Sequence, residues 1–570
     1  MAFQISPGVS VSEVDLTTVV PAVSTTAGGY AGQFQWGPAG KRTLITSETQ
    51  LVSVYGKPDG NTATSFFSAA NFLAYGNNLQ VVRAANTGSK NATNAGTPVQ
   101  IANEDVYDTT YTTDSNTIAF ISRYPGALGN SLKVSINSAN TSLNANATFA
   151  NWQYKSSFSS APGTSSYVSN SGGANDQIHI VVIDEDGLFS NGQKGTVLET
   201  FPFLSKALDG VNDDGSPSYY RTVIRNQSKY IYALGPADYA NTSATWGQTA
   251  AGPNATGTQF QGISVGATTS LTGGTTVAVQ DGDVSSAWDI LSNPDVVDVS
   301  LLVSGDASTT VQQKVIDTAL TRKDCVAFVS PPNTVVTSAT PDTVVSTWAS
   351  STIGRATSYA VADSGWKYQF DKYNNVYRWI PLNADIAGLC VRTDETNDPW
   401  YSPAGATRGA IKNVVKLAWN PTQAQRDTIY SIGVNPVVAM PGMGTILYGD
   451  KTFMTQPSAF SRINVRRLFI VLEKAIASAS KFSLFELNDE FTRAQFVALV
   501  EPFLRDVKGR RGIYDYKVVC DTTNNTSQVI DSNQFVGDIY IKPARSINYI
   551  QLNFVAVRSG VTFNEIVGAV

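Results

Sequence analysis

Apolar and polar positions change rhythm several times along this chain, and the changes mark its segments. In the first twenty residues Val9 and Val11 alternate with Ser10 and Ser12, and Pro7 and Gly8 forbid an early helix. The β-branched run from Thr17 to Val20 stops at Pro21. No apolar face here is large enough to fold alone, so residues 1–20 read as an extended arm that must lie against something else. From Val23 the pattern becomes α/β: a turn-rich entry punctuated by Gly28, Gly29, Gly32, Gly37 and Gly40, then a short helix capped by Ser47 and ending at Gly56. Phe66, Phe67, Ala70 and Leu73 at helical spacing predict a second helix, and 79–84 a strand.

Residues 87 to about 280 are rich in Ser, Thr, Asn and Gly, with short β-branched runs between turn clusters. Strands are expected at 117–123, 132–136, 178–184 and 219–224. We read one or two β-rich domains inserted into the α/β unit, since insertion at a loop is tolerated when its ends lie close together. After Gly282 the α/β rhythm resumes: a helix from Val284, a buried strand at 296–303, an amphipathic helix at 308–322 and a strand at 325–332, the spacing of a parallel crossover. Residues 408–420 predict a further helix and a loop. The C-terminal part opens with long helical patterns at 463–486 and 487–509, the second with Phe491, Phe496, Leu499 and Phe503 on a broad apolar face. Strands follow at 516–521, 536–544 and 548–558, then a mostly apolar tail.

The chain thus divides into an N-terminal arm (1–20), an α/β domain in two segments (21–88 and 282–452), a β-rich insert (89–281), an α+β C-terminal domain (453–545) and a C-terminal strand and arm (546–570). Its length of 570 residues accords with three or four domains. The charged fraction, 15%, is below the quarter or so that is usual, which suits extensive protein–protein contact. The net charge of −5 conceals an asymmetry: +3 from residue 455 onward against −8 in the rest, so the C-terminal part is suited to an acidic partner. Cys325, Cys390 and Cys520 lie far apart, which argues against a disulfide framework or thiolate zinc site. The first residues do not read as a signal peptide, and no run approaches 18 apolar residues, so neither secretion by that route nor membrane insertion is expected.

Candidate chemistry is sparse. The single histidine, His179, alternates with Ile178 and Ile180 in an expected strand, away from the α/β segments, and reads as structural. Gly273 and Gly274 are not followed by the Lys of a phosphate loop. Asp184, Glu185 and Asp186 before Gly187 could hold calcium or form a solvated turn; EF-hand spacing is missing, which favours the turn, and Asp213 and Asp214 read alike. Arg505, Lys508, Arg510 and Arg511 cluster at a helix end, where the helix dipole favours cations; a protein contact fits equally well, and nucleic-acid binding is not expected. No cofactor, metal or catalytic residue is assigned.

The order of segments resembles the contractile tail sheath proteins of large phages. The resemblance rests on SPGVSVSEVD and TTAGGYAGQFQWGPAGKRTLITSETQLVSVYGKP near the start and on FFSAANFLAYGNNLQVVRAAN after them. SRYPGALGNSLKVSI, FLRDVKGRRGIYDYKVVCDTTNN and FVGDIYIKPARSINYIQLNFVAVRSGVTFNEIVG complete it, with 140–280 the weakest stretch. It implies a non-enzymatic virion subunit whose central domain is subtilisin-like without the triad. The terminal arms, through Val9, Val11 and Val14 and through Val561, Phe563 and Ile566, would insert as strands into neighbouring subunits. The implied partners are further copies in a helical sheath, the tail tube, and baseplate and tail terminator proteins. Arg505, Lys508, Arg510 and Arg511 are then candidates to face an acidic tube. The sheath of a phage-like bacteriocin or secretion machine, a hydrolase on the α/β domain, and a β-rich surface-binding protein are the alternatives.

Overall fold

A computed structural model describes residues 24–111, 118–139, 145–235, 245–251, 257–263 and 267–551. The expected arm residues Val9, Val11, Val14, Val561, Phe563 and Ile566 lie outside them.

The strand–helix–strand rhythm of the two α/β segments builds one seven-stranded sheet. Its order is 434–435, 360–363, 326–329, 301–303, 28–33, 79–84 and 42–45. Neighbours run parallel except the edge strand Arg42–Ile45, which returns antiparallel along Leu79–Ala84. Such a sheet must be covered on both faces. Leu301 and Val303 point into a core with the helices Ala63–Leu73 and Asn383–Thr396. Leu302 points the other way, against the helices Asp281–Asp289 and Thr309–Arg322.

Local signals in the sequence act as read at both ends of one short helix. The Ser47 hydroxyl accepts from the Gln50 N–H at the start of Glu48–Tyr55, and Gly56 closes that helix at φ 77°. Ser308 caps Thr309–Arg322 through the Val311 N–H. Of the glycines expected to form a turn-rich entry, Gly37 and Gly40 do lie in turns, at φ 95° and 62°, whereas Gly28, Gly29 and Gly32 belong to the strand Gly28–Gln33. Close packing explains them: a Cβ on Gly28 would lie 2.5 Å from the ring of Phe72.

The chain leaves the main sheet after Ala84 and returns to it through the helix at Asp281. Between them lie a four-stranded antiparallel sheet, ordered 196–205, 177–184, 132–138 and 267–270, and a two-stranded one, 120–122 with 231–233. The strand expected at 219–224 is the helix Tyr220–Gln227: Tyr220, Val223 and Ile224 are buried at helical spacing, which a short apolar run does not distinguish from a strand. The helix expected within 408–420 is irregular apart from Lys416–Leu417. There the Ile411, Val415 and Ala418 amides donate to the Thr445, Tyr368 and Trp366 carbonyls, so neighbouring strands take the bonds a helix would need. The strand expected over 296–303 shrinks to Leu301–Val303, with Val296 exposed. Residues 548–551 form no strand, and 552–558 lie outside the described residues.

Candidate functional site

In an open parallel sheet, ligands gather where the strand order reverses, beyond the carboxyl ends of the strands. The order reverses between 28–33 and 301–303, and beside that point the carboxyl ends of 301–303, 326–329 and 360–363 carry a buried polar network. The Ser330 hydroxyl donates to Asp363 Oδ2 at 2.7 Å, and Asn383 Nδ2 donates to Ser330 Oγ at 3.0 Å and to the Gly305 carbonyl at 2.9 Å. The Gly305 N–H returns a bond to Asn383 Oδ1, and the Gly365 N–H donates to Asp363 Oδ1. Ser330, Asp363 and Asn383 are all buried, and burial pushes the Asp363 carboxyl up to about 8. Serine and carboxylate thus serve as internal fasteners without an imidazole between them. His179 lies in the four-stranded sheet instead, its ring stacked on Phe158 at 4.2 Å. The Phe203 N–H donates to His179 Nδ1 at 3.1 Å, which leaves Nε2 to donate to the Ser160 carbonyl at 2.8 Å. Burial lowers the affinity of this ring for a second proton.

The acidic turn after Ile183 is equally committed. The Asp184 carboxylate accepts from the amides of Gly187, Leu188, Phe189 and Ser190 and from the hydroxyls of Ser131 and Ser190. Those donors occupy the lone pairs a cation would need, and no metal-ligand cluster occurs among the described residues.

The functional features that are open lie in the C-terminal unit. Two helices, Ile463–Ser480 and Glu490–Gly509, pack over an antiparallel ribbon of Ile513–Val519 with Asp538–Pro543. The buried stripe of the second helix is Phe496, Val500, Leu504 and Val507. Phe491, expected on that face, is exposed: Thr492 and Arg493 beside it are buried, and the helical turn points Phe491 away from the stripe. The ribbon pairs with no third strand among the described residues, so both outer edges leave backbone N–H and C=O groups unpaired. A lone two-stranded ribbon is marginal, and such edges template strand addition.

This unit is fastened to the main body by Arg467, whose guanidinium binds the Asp394 carboxylate with both side chains almost wholly buried. Arg467 also donates to the Cys390 and Thr25 carbonyls. Of the four cations noted in the sequence, Arg505 makes no ion pair among the described residues. Lys508 binds Asp515 at 2.9 Å, Arg510 is paired with Asp398 and lies against the Trp400 ring, and Arg511 adopts a left-handed turn at φ 66°. Lys508 and Arg511 line an open cleft of about 1030 Å³ between the C-terminal unit and the body.

Comparison with known proteins settles what such an assembly belongs to. Family models match three stretches: a Tail sheath protein Gp18 domain III N-terminal region at 25–84, a Phage tail sheath protein central domain at 277–453, and a Phage tail sheath C-terminal domain at 455–556. The tail sheath protein of Enterobacteria phage T4 is 34% identical, over 99% of each chain. This chain belongs to the phage tail sheath family. It is a structural subunit of a contractile tail, located in the virion, and the family is not enzymatic.

Solved sheath proteins share the fold at low identity. The sheath tail protein from Desulfitobacterium hafniense superposes with a TM-score of 0.53 at 12% identity, over 94% of this chain and all of that one. The anti-feeding prophage helical sheath in its contracted state gives 0.51 at 13%, over 97% and 99%. Sequence reasoning missed two features of this sheath subunit, the cleft and an exposed apolar tip at 482–491. The tip was readable only as more of the amphipathic pattern, because nothing in periodicity says where a helix pair ends.

Proposed function

We propose that this sheath subunit polymerises helically around the tail tube by exchange of its terminal arms, and that rearrangement of the polymer drives the tube through the host envelope for genome delivery. The observation that carries this reading is the open C-terminal ribbon. Each free edge of Ile513–Val519 or Asp538–Pro543 can accept roughly six backbone hydrogen bonds, at about 1 kcal/mol net apiece. The β-prone ends of the chain, with Val9, Val11 and Val14 at one and Val561, Phe563 and Ile566 at the other, are the strands assigned to those edges. Contacts between unlike surfaces that do not close into a ring generate helical assemblies. Contraction requires two packings of rigid subunits joined by flexible tethers, with the extended one kinetically trapped.

Within this reading the division into arms 1–20 and 546–570, a two-segment α/β domain, the insert 89–281 and a polymerisation domain 453–545 stands as our assignment. So does the likeness of the central domain to a subtilisin-like fold without its triad, supported by the parallel order of its sheet and by a Ser330–Asp363 pair that lacks histidine. Tube contact is assigned to Arg505, Lys508, Arg510 and Arg511, all four exposed, with Lys508 and Arg510 also paired to Asp515 and Asp398. Baseplate and terminator proteins cap the two ends of the polymer. Negative-stain microscopy of full-length protein and of a form lacking 1–20 and 559–570 tests the scheme. Tubes from the first and monomers from the second are expected; tubes from both would discard arm exchange.

A further inference from the structure

The most unusual surface of the molecule is the turn between the two C-terminal helices. Phe482, Leu484, Phe485, Leu487 and Phe491 are 63–104% exposed there, the largest concentration of bare apolar side chains among the described residues. Clusters of this kind mark interaction sites. The tip is held in place rather than loose. Asn488 donates to the Gln534 carbonyl at 2.8 Å and accepts from Arg493 at 2.8 Å, while Phe485 sits at φ 71°, a conformation costly for an aromatic residue. Glu486, Asp489 and Glu490 outnumber the exposed Lys481 around the tip and leave its rim net acidic.

The cleft at the other end of the unit has the opposite character. Trp400, Tyr401, Tyr448 and Tyr514 supply aromatic walls. Five cations, Arg408, Arg426, Lys508, Arg511 and Arg545, face two acids, Asp427 and Asp450, the second already bound to Arg462. The tip begins the helix Glu490–Gly509 and the cleft lies at its end; 20 residues at 1.5 Å each put them about 30 Å apart. A rigid helix prevents the two from meeting within one chain.

We propose that the apolar, acid-rimmed tip of one subunit docks into the aromatic, basic cleft of a second copy, a head-to-tail contact additional to arm exchange. The inference rests on the polymerisation proposed above. Because the surfaces differ, the contact propagates rather than closing as a dimer.

The test uses the full-length protein carrying Phe485→Cys and Gln423→Cys, the second position on the cleft wall. The native Cys325, Cys390 and Cys520 are buried and leave low background. A short bis-maleimide applied to polymers should give a ladder of covalent multimers, while either single variant stays monomeric. Charge reversal by Arg426→Glu and Arg511→Glu should abolish the ladder, and Glu486→Lys with Glu490→Lys in the same chain should restore it. Dimers from Phe485→Cys alone would show tip-to-tip contact and overturn the proposal. Polymers visible by microscopy without a ladder would overturn it while leaving the sheath scheme intact; no polymers from the unsubstituted protein would overturn both.

Discussion

Replacing Arg467 by Met should loosen the C-terminal unit from the body without unfolding either. Arg467 is the principal charged fastening between the helix Ile463–Ser480 and the helix Asn383–Thr396, and it also holds the Thr25 carbonyl. Both side chains of the pair are 4% exposed, so removing the guanidinium strands a buried carboxylate. Breaking one partner of such a pair costs about 3–5 kcal/mol, whereas an exposed pair is worth about 1 kcal/mol or less. At roughly 1.4 kcal/mol per tenfold change, opening should become at least about a hundredfold more frequent. Hydrogen exchange read by mass spectrometry is the assay: amides of 463–480 should exchange faster by that factor while those of 326–329 hold. The double variant Asp394→Leu with Arg467→Met should recover most of the loss, since apolar replacement of both partners is close to neutral. A single-variant effect under about fivefold, or no recovery in the double, would refute the claim that this pair fixes the unit.

The Asp363 carboxyl titrates near 8 folded and about 3.9 unfolded, so the native state holds the extra proton between those values. This stability is full below about pH 4 and is lost as pH rises toward 8, by at most about 6 kcal/mol. Thermal melts from pH 5 to 8 should show the decline, and Asp363→Asn should flatten it; an unchanged slope would exclude this group. Serine-reactive fluorophosphonate probes should leave the protein unlabelled, because Ser330 is buried and donates to a carboxylate; labelling at Ser330 would reopen hydrolysis. Gly28→Ala should cost about 1–3 kcal/mol by forcing a Cβ against Phe72, and adding Phe72→Leu should return part of it. An unaltered urea midpoint for Gly28→Ala would show that the ring moves freely aside.

Much of this architecture could be read from residue patterns, and the failures have physical causes. Ser47 and Gly56 place helix ends because capping is local chemistry. The order of the main sheet was hidden, since its two halves are separated by nearly two hundred residues and only the fold brings Gly28–Gln33 beside Leu301–Val303. That strand carries three glycines and looks like a turn until Phe72 is seen lying on it. The run at 219–224 suits strand or helix equally, and tertiary packing decided for helix. The functional edges were legible only indirectly: 516–521 and 536–544 read as strands, but not that they would pair with each other and stop. The cleft joins residues from 400 to 550 and has no linear signature.

On polymerisation the C-terminal ribbon should gain strands from other subunits. A helical reconstruction of the assembled polymer, at a resolution that separates strands, measures this directly. The result expected is a sheet in which Ile513–Val519 and Asp538–Pro543 are flanked by strands from the N-terminal arm of one neighbour and the C-terminal arm of another. A ribbon still two-stranded within the polymer, with the arms packed on their own subunit, would contradict it.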